Sequence, residues 1–302
     1  IGTGHVMRCL TLADALHTRG YDSVFLSRNH IGHLHQLVEA RGYPLLSLGD
    51  AKSMLSHQAN LSHGHLLGAE LQADVDDTLA RLKSLTVDWL VVDHYGLDAR
   101  WEQPLRPYCK KMMAIDDLAN RHHCVDVLLD QNLGKTQTDY ETRVPGSCEL
   151  IVGPNYALLR PEFGALRANS LDRRRQGSLR KLLVTMGGVD LEDATGKVLQ
   201  ALKTWKLSAD LEVTVVMGVN SPWRHQVAEH ARHLPFPTEV LVNVRNMETL
   251  MCDADLAIGA AGTTSWERCC LGLPTIQLAL AENQRPIAKA LSQAGAAIQL
   301  ES

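Results

Sequence analysis

The sequence has no apolar run approaching the roughly 20 residues needed to cross a bilayer. It also has no Cys-x-x-Cys pair and no large excess of either charge. The first absence argues against a membrane-spanning helix. The second leaves seven cysteines, at 9, 109, 124, 148, 252, 269 and 270, to be read as reduced thiols of a cytoplasmic protein and not as a zinc ribbon or disulfide frame. The third is a balance of 30 Lys+Arg against 34 Asp+Glu, net −4, so neither a nucleic-acid nor a membrane partner is expected. No P-loop Gly-x4-Gly-Lys-Ser/Thr occurs, which speaks against ATPase chemistry. The opening Gly-x-Gly lacks the third glycine of a dinucleotide fingerprint, so no nicotinamide cofactor, and no cofactor of any kind, is expected. Neither Trp89 nor the Trp101-Glu102 pair belongs to a pattern that would stack bases.

What is present is 302 residues, 45% hydrophobic and 21% charged, the balance of a globular chain of two domains of about 150 residues each. Apolar period and short apolar runs alternate along it. Helical period covers 5–19, 69–85 and 98–107, and runs at 23–26, 89–93, 111–115 and 127–130 read as strands. After a polar, basic stretch at 167–180, taken as a solvated linker, strands are expected at 180–185, 211–217, 238–241, 255–258 and 274–278. Helices are expected at 193–205, 222–232, 246–252, 264–271 and 283–293. Runs ending in Asp, Ser or Gly suggest parallel strands buried on both faces. The fold class is therefore α/β, with two Rossmann-like domains facing a cleft, 1–166 and 181–302. A Gly-x-Gly turn normally follows a strand, and none precedes Gly2. The sequence is thus expected to be an internal piece of a longer reading frame, lacking a first strand and a final helix.

Four glycine loops fall at strand-to-helix junctions: Gly2-Thr3-Gly4-His5, Met186-Gly187-Gly188-Val189-Asp190, Met217-Gly218-Val219-Asn220 and Gly259-Ala260-Ala261-Gly262-Thr263-Thr264. Glycine lets backbone N–H groups approach a phosphate, although α/β turns need it anyway. Three such loops in one domain point to a bound diphosphate. Glu267, three residues after Thr264, suits either a capping box or a carboxylate that accepts from both ribose hydroxyls. Asn283-Gln284, before Pro286, suits a helix N-cap or a sugar contact. His5 stands at a helix N-terminus, where the positive end of the dipole favours an uncharged imidazole able to take a proton from water. Asp93-His94-Tyr95-Gly96 and Asp116-Asp117 follow first-domain strands and would face the same cleft; loop capping by Asp is the plainer alternative. The clusters His33-x-His35, His63-x-His65 and His122-His123-Cys124 lack metal-ligand spacing, so no metal is expected.

Several blocks together resemble a known family. They are Gly2-Thr3-Gly4-His5-Val6-Met7-Arg8-Cys9-Leu10, Val92-Asp93-His94-Tyr95-Gly96-Leu97-Asp98, Ile115-Asp116-Asp117-Leu118-Ala119 and Asp130-Gln131-Asn132-Leu133. Gly153-Pro154-x-Tyr156-Ala157-Leu158-Leu159-Arg160-Pro161-Glu162-Phe163 and Ser265-Trp266-Glu267-Arg268-Cys269 with Asn283-Gln284 complete the set. The sequence resembles the UDP-2,4-diacetamido-2,4,6-trideoxy-β-L-altropyranose hydrolases of pseudaminic acid biosynthesis, a family itself similar to GT-B glycosyltransferases.

The resemblance implies a monomeric hydrolase that takes a UDP-sugar. In it His5 would activate water for attack at the anomeric carbon and Tyr95 would line the sugar pocket. Gly4, Arg8 and Asn132 lie in the matching blocks and would join the substrate site. Gly187, Gly188, Gly262, Thr263 and Thr264, with Met217 in the third loop, would hold the diphosphate. Residues 244–247, with Val244 and Met247 at their ends, would meet uracil through backbone groups. Glu267 would bind ribose, and Asn283 and Gln284 would reach the hexose or its phosphate. Val189 stands where the family usually has a small polar residue.

Overall fold

The computed structural model describes residues 3–51, 66–175, 177–205, 208 and 210–300. Gly2, His63, His65, Gln176 and Glu301-Ser302 lie outside the described residues. The chain divides into two compact units between Leu158 and Leu159. No helix among the described residues is long and apolar enough to cross a membrane.

The first unit runs α1 (Thr3–His17), β1 (Phe25–Asn29), α2 (His35–Ala40), β2 (Leu45–Asp50), α3 (Leu71–Leu82), β3 (Trp89–Val92), α4 (Ala99–Leu105), β4 (Lys111–Ile115), β5 (Val127–Asp130) and β6 (Glu149–Val152). Its strands form two parallel sheets, β1-β2 and β3-β4-β5-β6. Met112 and Leu128 are fully buried in the middle strands, as apolar runs covered on both faces must be. Trp101 of α4 donates its indole N–H to Asp74 of α3 (2.9 Å), and Arg28 of β1 donates to the same carboxylate (2.8 Å). One buried acid thereby ties three elements together. Three elements, α2, β2 and β6, were not expected. The first is too short to show a period, the apolar run of β2 is broken by Ser47, and that of β6 is only three residues long.

The second unit runs α5 (Pro161–Arg174), β7 (Lys181–Thr185), α6 (Ala194–Thr204), β8 (Glu212–Met217), α7 (Arg224–Arg232), β9 (Thr238–Val242), α8 (Met247–Asp253), β10 (Leu256–Ala260), α9 (Thr264–Cys270), β11 (Thr275–Leu278), α10 (Arg285–Gln293) and β12 (Ile298–Leu300). All six strands are parallel, in the order β12-β11-β10-β7-β8-β9. Counted from β7, this is the doubly wound order 3-2-1-4-5-6, and the winding reverses between β7 and β10.

The stretch expected as a linker at 167–180 is helical to Arg174, and the units part earlier, before Leu159. Phe163 is fully buried in the second-unit core, and of the arginines that suggested solvation Arg175 is exposed beside Asp172 while the others turn inward. Arg174 donates to the carbonyls of Met251, Cys252, Ala254 and Leu271, and Arg167 to those of Cys269 and Cys270. These are the C-terminal ends of α8 and α9, where carbonyls lack helical partners and a cation is favoured. Arg173 pairs with Asp255 at 2.7 Å.

Candidate functional site

In the first unit β3, β4 and β5 lie side by side, and each ends in acid: Asp93, Asp116 with Asp117, and Asp130. Carboxyl ends of parallel strands are where such sheets place polar groups for ligands. α1 presents His5 and Arg8, three residues apart and hence on one face, to the first of these acids. His5 Nδ1 lies 2.5 Å from Asp93 Oδ1. Arg8 donates from Nε and Nη2 to the two carboxylate oxygens (2.7 and 2.6 Å), and the Cys9 thiol donates to Oδ2 at 3.4 Å.

Burial alone would raise the Asp93 carboxyl, but the charges and hydrogen bonds of His5 and Arg8 outweigh it and hold the group well below the usual carboxylate range. An ionised carboxylate can only accept, so the 2.5 Å contact puts a proton on Nδ1, and in the neutral ring the lone pair is then on Nε2. Tyr95 stands edge-on to this ring, with centroids 4.7 Å apart, and its hydroxyl donates to Asp117 Oδ2 at 3.2 Å. Arg8 Nη1 reaches the same oxygen at 3.3 Å. His5, Asp93, Arg8, Asp117 and Tyr95 therefore form one connected cluster.

Parts of the sequence reading change here. The orientation of His5 is set by Asp93, 88 residues away, and not by the helix end alone. Gly4 sits inside the first turn of α1, where a loop was expected. Arg8 is 3% exposed, and its guanidinium meets Asp93 and Asp117 and holds the two acids in place. Asn132 is buried, and its side-chain amide donates to Asp130 at 3.0 Å. His94 does not join the cluster. Burial pulls it down to about 3, and its neutral Nδ1 accepts from the Gly96 N–H at 2.9 Å.

Of the other histidines, His33 and His35 stack at 4.0 Å, and His123 is paired inside the fold. Among the described residues no group of three or more His, Cys, Asp or Glu side chains is gathered to hold a metal ion.

His123 Nδ1 lies 2.6 Å from Glu102, and its ring also faces Asp116, which Arg121 meets at 2.9 Å. Burial works against the charged ring, but the two carboxylates prevail and raise His123 to about 9. A raised pKa means that the pairing stabilises the fold fully below the unfolded value of about 6.5 and is lost as pH climbs through about 9. The wild type is accordingly expected to lose about 3 kcal/mol across that window relative to His123→Gln. Urea unfolding midpoints at pH 6, 7.5 and 9 would check this, and equal slopes for the two proteins would refute it.

In the second unit, the loops after β7 and β10 flank the point where the winding reverses. Gly187 has φ +89°, a left-handed backbone that favours glycine. A Cβ on Gly218 would fall 1.9 Å from the Gly188 carbonyl oxygen, so the loop after β8 packs directly on the loop after β7. The Asp190 carboxylate accepts from the N–H groups of Ala194 and Thr195 (2.8 and 2.9 Å), and Asp193 accepts from Gly196 at 3.0 Å. The first turn of α6 is thus already capped, and Gly187 and Gly188 offer backbone without a free helix end behind them. Met217 is a core residue, 3% exposed, whose carbonyl accepts from the Asn243 N–H; its side chain does not reach the loops' surface.

The capping box considered for Thr264 and Glu267 does not form. Thr263 occupies the cap position without a side-chain bond, and Glu267 falls one residue too late. The Glu267 backbone carbonyl accepts from the Leu271 N–H, but its carboxyl makes no hydrogen bond to a described residue. Burial, assisted by Glu248, pushes its carboxyl up to about 7 against the opposing pull of Arg160 and Arg268. Arg160 itself donates to Glu248 at 2.6 Å. Neither Arg160 nor Glu248 was foreseen as a neighbour of Glu267, and no local spacing announces them.

Val244 and Met247 pack their side chains on the core, leaving backbone as what this segment can present. Gln284 holds the position before α10 without capping it by side chain; its Oε1 accepts from the Leu280 N–H at 2.9 Å. Its Nε2 lies 3.9 Å from where a Gly262 Cβ would stand, which sets Gln284 beside the Gly262-Thr263-Thr264 turn. Asn283 belongs to the same short turn.

Comparison with known proteins agrees with this architecture. Residues 181–302 match the Glycosyltransferase family 28 C-terminal domain. The chain is 23% identical over 291 residues to the uncharacterized protein MJ1062 of Methanocaldococcus jannaschii, covering 94% of this chain but 54% of that one, so it spans about half of that relative's length. It is 24% identical over 215 residues to the UDP-2,4-diacetamido-2,4,6-trideoxy-β-L-altropyranose hydrolase of Campylobacter jejuni, covering 71% of this chain and 74% of that one. The crystal structure of MurG from Acinetobacter baumannii superposes with a TM-score of 0.64 at 17% identity, covering 99% of this chain and 83% of that one. The chain therefore has the α/β fold of the GT-B glycosyltransferases, built from parallel-sheet Rossmann-like units.

Proposed function

We propose that the protein is an enzyme acting on a nucleotide sugar, and that it hydrolyses UDP-2,4-diacetamido-2,4,6-trideoxy-β-L-altropyranose to UDP and the free sugar. The observation that carries this reading is the His5–Asp93 pair, which selects the tautomer of the neutral ring with its proton on Nδ1 and its lone pair on Nε2. A water donating to Nε2 becomes a stronger nucleophile as its proton moves to the ring. Its oxygen attacks C1 of the sugar and the C1–O bond to phosphate breaks. The electron pair leaves with UDP, and the configuration at C1 inverts. The diphosphate is already a stable anion, so the leaving group needs no acid. Backbone N–H groups of the loops at Gly187, Gly188, Gly262, Thr263 and Thr264 would stabilise the developing charge. Val244 and Met247 would meet uracil through backbone, Glu267 would accept from the ribose hydroxyls, and Tyr95, Asn283 and Gln284 would contact the sugar side.

A second reading, transfer of the sugar to an acceptor, is supported by the family 28 match over 181–302. Incubation with the UDP-sugar alone, followed by NMR, separates the two. Hydrolysis predicts that UDP and free sugar accumulate in equal amounts, with the inverted anomer formed first. Turnover only when an acceptor is added would favour transfer. Binding without turnover under either condition would leave a nucleotide-sugar-binding protein and sink both.

A further inference from the structure

Arg268 in the second unit is buried with no carboxylate hydrogen-bonded to it among the described residues, and Glu267 acts on it only through its field. Arg268 of α9 is 1% exposed. Arg8, Arg28, Arg121 and Arg160 each meet a carboxylate, whereas Arg268 pairs with none among the described residues. Its Nη2 donates to the Ala260 carbonyl (2.7 Å) and to Ser265 Oγ (3.0 Å), one on each side of the Ala261-Gly262-Thr263-Thr264 turn. Among the described residues Nε and Nη1 find no hydrogen-bond partner, and neither does the buried Oε1 of Gln277.

The group also lies at the seam where the sheet reverses. A Cβ on Gly259 would come 2.5 Å from Arg268 Nη1 and 2.9 Å from the Thr185 carbonyl, so only glycine in β10 lets the guanidinium pack against β7 and β10 together. A cavity of about 10 Å³, lined by Arg268, Ser265, Thr275 and Gln277 among others, has room for a single water. Water is neutral and would leave the guanidinium balanced only by the field of Glu267. Burying an unpaired charge costs stability, and the cost is offset where its field acts on an anion held nearby.

We propose that Arg268 is a positioning residue for a nucleoside diphosphate, bracing the turn after β10 and supplying from beneath it the positive charge that the bound diphosphate neutralises. The inference rests on the nucleotide-binding reading above.

The test compares UDP with uridine by calorimetry in the wild type, Arg268→Met and Gln277→Glu. The first substitution removes the charge. The second sets a carboxylate in the same cavity and neutralises it while keeping the guanidinium's bonds, so it carries the test if Arg268→Met does not fold. Each variant is expected to weaken UDP roughly tenfold or more, the scale of one charge acting over several ångströms inside a protein, with uridine little changed. A merely structural role would weaken both ligands in parallel. Parallel loss, or an unchanged UDP-to-uridine ratio, would overturn the inference alone. A wild type that binds neither ligand would overturn the nucleotide reading and the inference with it.

Discussion

Replacing His5 by asparagine is expected to slow UDP release by about 10²–10⁴-fold while UDP-sugar affinity stays within about threefold of wild type. Asparagine is smaller than histidine but can place an amide N–H where Nδ1 stands and still donate to Asp93, so the anchor of α1 on its buried acid is kept. What disappears is the lone pair at the position of Nε2. The loss should therefore fall on turnover and not on binding. Asp93→Asn tests the other half of the pair: with a neutral partner the ring no longer has its proton fixed on Nδ1, and turnover should fall as well. Steady-state rates with the UDP-sugar, together with direct titration of binding, check both variants. A wild-type rate for His5→Asn would remove the water-activating role from this histidine.

Glu267→Ala is expected to weaken UDP binding on the order of 10²-fold, because two hydroxyl-to-carboxylate bonds are lost at roughly 1.5 kcal/mol each. The pH dependence is more specific. Burial pushes the free carboxyl up to about 7, and only its ionised form can accept from both ribose hydroxyls. Affinity in the wild type should rise with pH through 7 and level off above it, and should be about tenfold weaker one unit below. Glu267→Gln should bind weakly with no slope across the same range. If Glu267→Gln bound UDP like the wild type at pH 8, ribose recognition by this carboxylate would be ruled out.

The β/α alternation was legible in the sequence because strands such as Val127–Asp130 and Lys111–Ile115 carry apolar side chains on both faces and end in acid. The exposed or short elements α2, β2 and β6 leave no such mark. Motif resemblance drew attention to His5 and Tyr95, and the structure sets their rings in contact. The pairing of His5 with Asp93 joins residues 88 apart, which no local spacing encodes. Arg8 shows the opposite limit. Its motif suggested a ligand contact, but its guanidinium is spent on two acids that only the folded chain brings to it. Met217 likewise sits in a glycine loop by sequence and in the core by packing. Arg268 lies in a quoted motif, but its burial without a hydrogen-bonded carboxylate among the described residues is a property of the folded chain alone.

The seating of α5 bears on how the two halves can be studied separately. An expression fragment begun near residue 180, where composition alone would cut, discards Arg167, Arg173 and Arg174, and with them the caps on α8 and α9 and the buried Phe163. A fragment begun at Leu159 keeps this side wall attached to the sheet it supports. Separation of the two units should therefore be made at that earlier joint.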